Sequence, residues 1–125
     1  MTTDELKERF RKFSIRVIKL VNAMPNTIAS NAIAKQIVRS GTSPAANYRA
    51  ACLAKSNKDF LNKLKMVEEE IDETSHWLSI IMDAEILPCA QVEELYDESI
   101  ELRRIVVRSI KTIKQAIDAG NRTSL

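Results

Sequence analysis

The sequence predicts an all-α protein, an up-down-up-down antiparallel four-helix bundle. Three observations point there. Apolar residues recur at spacings of three and four along four long segments. Only two glycines and three prolines occur in 125 residues, so the chain has few turns. The breaks between segments are short, which makes successive helices antiparallel neighbours. No period-two run combines the β-branched residues and turn signals of a strand. The length suits one domain, residues 1–125, with one core.

The first helix is expected over about residues 4–24. Thr2 with Glu5, or Thr3 alone, supplies a start signal. Leu6, Phe10, Phe13, Val17, Leu20, Val21 and Met24 make one stripe, and Pro25-Asn26-Thr27 ends it. Ile15 and Ile18 point away from that stripe and are candidates for an oligomer contact.

The second helix is expected over about 27–54, with a stripe of Ile33, Ile37, Ser40, Pro44, Asn47 and Ala51. Gln36 and Tyr48 flank it. Gly41 costs about 1 kcal/mol relative to alanine inside a helix. Pro44 lacks an N–H and its ring clashes with the Ser40 carbonyl, so the helix should kink near Pro44. The alternative is two short helices broken at Gly41–Ser43. The stripe keeps its phase across Pro44, which favours one kinked helix.

The third helix is expected over about 57–84, after the N-cap Ser56. Phe60, Leu64, Val67, Ile71, Thr74, Leu78 and Ile81 form a heptad seam. Met66, Glu73, Trp77 and Ile80 form a second stripe about a third of a turn away, which suggests a second neighbour. The fourth helix is expected over about 89–119. Val92, Leu95, Ser99, Leu102, Val106, Ile110, Ile113 and Ile117 form its face, with Ile105 and Val107 broadening it. Gly120 sits where a C-cap glycine belongs, and 121–125 reads as a frayed tail.

Net charge is only +2, but the bundle sorts it. The end shared by the start of the first and third helices and the finish of the second and fourth holds fifteen basic and five acidic side chains. The opposite end holds four basic and twelve acidic ones. A basic end can dock nucleic acid or an acidic partner, and a nucleic-acid-binding protein is a further candidate partner. The candidate contacts are Lys7, Arg11, Lys55, Lys58, Arg103, Arg104, Arg108 and Lys111. The phenylalanines near that end, Phe10, Phe13 and Phe60, read as core, so contact would be to phosphates rather than bases.

Polar residues also enter the second and third helices where apolar ones are expected. Gln36, Arg39, Ser40 and Asn47 should meet Glu70, Glu73 and Thr74 in an interhelical polar layer. Such a layer fixes helix register, with a ligand site as the alternative.

Metal and catalytic signals are weak. Glu73-Thr74-Ser75-His76 matches the Glu-x-x-His spacing of di-iron bundles, but the chain has one histidine. Cys52 and Cys89 fit no metal-ligand spacing, lie near opposite ends of the bundle and read as reduced, partly buried thiols. No phosphate loop, nucleophile pair or paired inward carboxylates stand out, so no enzyme, cofactor or metal is expected. No apolar run of about 18 residues could span a membrane, and the N-terminus lacks a secretory h-region. A cytoplasmic protein is expected.

Residues 36–60 carry a recognisable pattern: Gln36, Arg39-Ser40, Thr42-Ser43-Pro44, Ala46-Asn47, Lys55-Ser56 and Asp59-Phe60, with Glu73 on the next helix. It resembles the four-helix-bundle proteins encoded in intervening sequences of bacterial 23S rRNA genes. The usual Asn-Ile-Ala-Glu-Gly is replaced by Asn47-Tyr48-Arg49-Ala50-Ala51, so the family acid is missing. The resemblance implies a homopentamer with no established enzymatic activity. It extends distantly to the accessory protein of diversity-generating retroelements, a basic pentameric barrel that contacts nucleic acid and a reverse transcriptase. On that view Ile15, Ile18, Met66, Trp77 and Ile80 serve subunit contacts, and the basic ends repeat around the ring axis. A non-enzymatic scaffold that binds nucleic acid is the leading expectation. A protein-assembly module with no nucleic-acid role is the alternative.

Overall fold

The computed structural model describes the backbone of residues 1–123 and the side chains of residues 1–120. It holds four helices: α1 Thr3–Ala23, α2 Ile28–Cys52, α3 Asn57–Asp83 and α4 Cys89–Thr123. Among the described residues there is no strand.

Three helices begin on a hydroxyl that satisfies a backbone donor the helix itself leaves free. Thr2 Oγ1 accepts from the Glu5 N–H at 3.1 Å, Thr27 Oγ1 from Ser30 at 3.2 Å and Ser56 Oγ from Asp59 at 3.1 Å. Of the two start signals weighed for the first helix, Thr2 is the cap. The end of α3 is built differently from anything the sequence suggested. Ile86 N–H donates to the Ile81 carbonyl at 3.0 Å and Glu85 N–H to Met82 at 3.1 Å. These are the two bonds of a Schellman motif, and Glu85 takes its left-handed position with φ 55°.

Neighbours in sequence are neighbours in space. α1 packs on α2, α2 on α3 and α3 on α4, while α1 and α4 meet over a much shorter stretch. Contacts run antiparallel: Ser14 reaches Gly41, Ser40 faces Thr74, Glu68 faces Arg103 and Ser75 faces Ser99. The core lies between these helices. Phe10, Phe13 and Val17 of α1, Ile37 of α2, Leu64, Val67, Ile71 and Leu78 of α3, and Val92, Leu102 and Val106 of α4 are all buried.

α2 is continuous through Pro44, so the two-helix alternative is excluded. Proline removes the donor owed to the Ser40 carbonyl. Hydroxyls gather at the carbonyls just before it. Thr42 Oγ1 donates to Val38 at 2.7 Å, and Ser14 Oγ lies 3.4 Å from the Gly41 carbonyl. α1 lies close against Gly41, since a methyl group there would sit 2.7 Å and 2.8 Å from the two Val17 methyls.

Three expectations need correction. Tyr48, not Asn47, takes the core position in the second half of α2; it is buried with its ring centroid 5.1 Å from that of Phe10, while Asn47 is half-buried. Pro44 and Ala51 are buried as expected, and between them the larger Tyr48 ring turns in against Phe10 of α1. Cys52 is half-buried as expected, but Cys89 is exposed at the start of α4. Finally, α4 continues through Gly120 to Thr123. A glycine costs a helix only about 1 kcal/mol, which a 35-residue helix tolerates. The expected frayed tail is therefore helical over 121–123, and 124–125 lie outside the described residues.

Candidate nucleic-acid interface and interhelical polar layer

The polar layer has a buried half and a surface half. In the buried half, Ser40 Oγ and Thr74 Oγ1 lie 2.9 Å apart between α2 and α3. One residue on, Ser75 Oγ and Ser99 Oγ lie 2.7 Å apart between α3 and α4. All four residues are buried. α3 therefore presents a hydroxyl to each neighbour at the same height. Each hydroxyl has one proton, so within each pair one donates across and the other donates to its own helix. Thr74 has the Glu70 carbonyl at 2.8 Å, and Ser99 has the Tyr96 carbonyl at 2.6 Å.

On the surface, Arg39 of α2 bridges two carboxylates of α3. It donates to Glu70 at 3.0 Å and to Glu73. Trp77 Nε1 donates to the same Glu73 carboxylate at 3.1 Å. Burial pushes the Glu73 carboxyl up, but the bonds from Arg39 and Trp77 and the Arg39 charge outweigh it. The net position is below the ordinary carboxylate value. Arg39, Ser40, Glu70 and Glu73 thus come together. Gln36 is exposed, Asn47 is half-buried, and among the described residues neither side chain joins the layer. Ser75 and Ser99 complete it. Ser99, a serine inside an otherwise apolar stripe, was the signal that a second hydroxyl had to lie opposite.

The Glu-x-x-His pair does not converge. Glu73 turns to Arg39, and exposed His76 packs edge-on to Trp77 at 5.0 Å. Among the described residues no three His, Cys, Asp or Glu side chains gather closely enough to hold a metal ion. No helix there is long and apolar enough to cross a membrane.

The basic end divides into paired and unpaired cations. Arg103 lies 3.8 Å from both Glu68 and Asp72, level with the middle of α3 rather than with its start. Arg104 and Arg108 flank Glu101 at 3.8 Å and 3.9 Å. Arg9, also counted with that end, makes a two-pronged contact with Glu98 at 2.8 Å and 2.7 Å. Residues near 103 therefore stand at mid-height against acids rather than at the basic end. Lys7 keeps a loose pair with Asp4 at 3.9 Å. Among the described residues Arg11, Arg49, Lys55, Lys58 and Lys111 have no carboxylate within 4.0 Å, and all five are exposed. The Arg122 side chain lies outside the described residues.

Near these cations α1 and α4 part. Thr3, Leu6, Phe60, Ile105 and Ile113 line a cleft of about 440 Å³. An adjoining hollow of about 360 Å³ shares Thr3, Tyr48 and Phe60 and opens at Lys55. Phe60 is half-buried, not enclosed. Burial, helped by the nearby Cys52 thiol, pushes the Tyr48 phenol up to about 12, so it stays neutral.

The proposed subunit-contact residues are scattered over the outside. Ile18 is 42% exposed and Met66 50%. Ile15, Trp77 and Ile80 are half-buried.

The sequence matches the family model of the 23S rRNA-intervening sequence protein over residues 4–108. A protein of unknown function from the S23 ribosomal protein family of Bacteroides thetaiotaomicron has a crystal structure similar to this fold. The two are 33% identical with a TM-score of 0.81, covering 89% of this chain and 99% of that one. No curated protein matches the sequence. The match spans α1 but for its first residue, all of α2 and α3 and more than half of α4, and on that ground the chain belongs to the 23S rRNA-intervening sequence protein family.

Proposed function

We propose that this protein is a non-catalytic, self-assembling helical-bundle scaffold that docks nucleic acid, or a nucleoprotein, through its basic end. One observation carries the reading. Arg11, Arg49, Lys55, Lys58 and Lys111 lack carboxylate partners among the described residues, whereas most arginines nearer mid-height are paired. Unpaired exposed cations are free to release counterions from a polyanion, and that release is the main source of sequence-independent affinity. Assembly multiplies such weak contacts by repeating them at high effective concentration. Exposed Ile18 and Met66 and the half-buried Trp77 offer apolar surface for it.

A second reading, a protein-assembly module without a nucleic-acid role, draws on the same apolar residues. Titration of a structured RNA across a salt series separates the two. Affinity should fall steeply with salt and be lost in the triple variant Lys55→Glu, Lys58→Glu, Lys111→Glu, with an unchanged melting temperature. No binding at low salt would leave the assembly module. Light scattering in the same buffer should give a mass of several chains, and a one-chain mass would remove self-assembly from both readings.

A further inference from the structure

We propose that the cleft where α1 and α4 part receives an unstacked base of single-stranded nucleic acid. The inference rests on the polyanion reading above and names which polyanion fits. The cleft of about 440 Å³ lies within the range of sites that hold small ligands. Its floor is apolar, from Leu6, Ile105 and Ile113, and the Phe60 ring contributes an aromatic wall. Its rim is hydroxyl and cation: Thr112 and Arg108 on one side, and Lys55 at the mouth of the adjoining hollow that shares Phe60.

That combination has a specific complement. A nucleotide couples a flat, π-faced base to an anionic phosphate. Single-strand sites meet it with an aromatic platform beside a cationic track. Here the aromatic wall opens beside Arg108 and, through the adjoining hollow, the unpaired Lys55, rather than among the acids at the other end. A regular duplex keeps its bases stacked inside and can offer only phosphates, so it cannot fill the cleft. An extruded or unpaired base can. Phe60 changes role accordingly, from an expected core residue to the ring that a base would stack on.

The test uses the full-length protein and three fluorescent oligonucleotides: a single strand, a blunt duplex and a single strand with abasic sites. Strand length is constant, and the abasic strand keeps the phosphate charge of the intact one. The intact single strand should bind about tenfold more tightly than the abasic one, the scale of one stacked base. Thr112→Trp, which fills the cleft from an exposed position, should erase that advantage while leaving abasic binding and the melting temperature unchanged. Phe60→Leu, which keeps apolar bulk but removes the ring, should also erase that advantage and leave abasic binding unchanged, with a modest fall in melting temperature because Phe60 packs against the core. Equal binding of intact and abasic strands overturns the cleft inference and leaves phosphate docking standing. Absence of binding to all three at low salt overturns both. If Thr112→Trp instead lowers the assembly mass with no change in base discrimination, the cleft is a subunit contact and the inference falls.

Discussion

At Gly41 a single hydrogen atom sets how closely α1 lies on α2. Helix propensity alone favours alanine there by about 1 kcal/mol. Packing decides the other way, because the added methyl would press on both Val17 methyls at under 3 Å. Those are side-chain atoms on a buried residue, so relief requires α1 to move, and overpacking of this kind costs about 1–3 kcal/mol. Gly41→Ala should therefore lower stability, read as a lower urea midpoint with an unchanged slope. Gly120 is the control, since among the described residues a methyl there meets nothing within 4 Å. Gly120→Ala should be neutral or slightly stabilising. Ser30 poses the opposite case. Its hydroxyl is buried without a hydrogen-bond partner among the described residues. Removing an unsatisfied group relieves its desolvation cost, so Ser30→Ala should raise the midpoint by an amount equivalent to about 1 kcal/mol.

At the scale of elements, helix ends were legible where a side chain makes the cap and illegible where the backbone does. Thr2, Thr27 and Ser56 are sequence signals because their hydroxyls are the acceptors. The Schellman turn after α3 gave no signal, because glutamate rather than glycine occupies the left-handed position. The polar layer shows the same division. Arg39 with Glu70 and Glu73 followed from charge and height. The Asn47 assignment failed because helical phase alone cannot say which of two adjacent residues turns inward. The layer's surface half also makes α2–α3 pairing sensitive to acid. The folded protein holds Glu73 below its ordinary value, so the unfolded chain takes up its proton first as pH falls. The contribution is thus complete above the ordinary carboxylate range and is lost as pH drops through that range toward the lower folded value. Arg39→Met should lower the neutral plateau of melting temperature slightly, since Arg39 is exposed, and flatten the acid limb by the same small amount. An acid limb identical to that of the unmodified protein would mean that other carboxylates set it.

Across the whole molecule, the architecture was readable because four apolar stripes and short breaks leave few ways to bury the helices. The closure of the bundle was not, because nothing in a stripe reports how far two helices stay in contact. α3 packs along both α2 and α4, while α1 has a full neighbour only in α2 and touches α4 briefly. Opening free energy should follow this asymmetry. Amides of α3 should exchange most slowly, and those of α1 faster. Arg9 and Glu98 form the ion pair that ties α1 to α4 among the described residues, and both side chains are partly shielded from water. Charge-assisted bonds of this two-pronged kind outlast ordinary surface pairs. Arg9→Ala removes the tie and leaves Glu98 short of its partner, but it touches nothing between α2 and α3. Exchange in α1 should accelerate by about tenfold, the equivalent of a tie contributing roughly 1–2 kcal/mol. The central amides of α3 should move less. A uniform acceleration through all four helices would mean that α1 opens only with the whole bundle, and that the short α1–α4 seam does not set the order of opening.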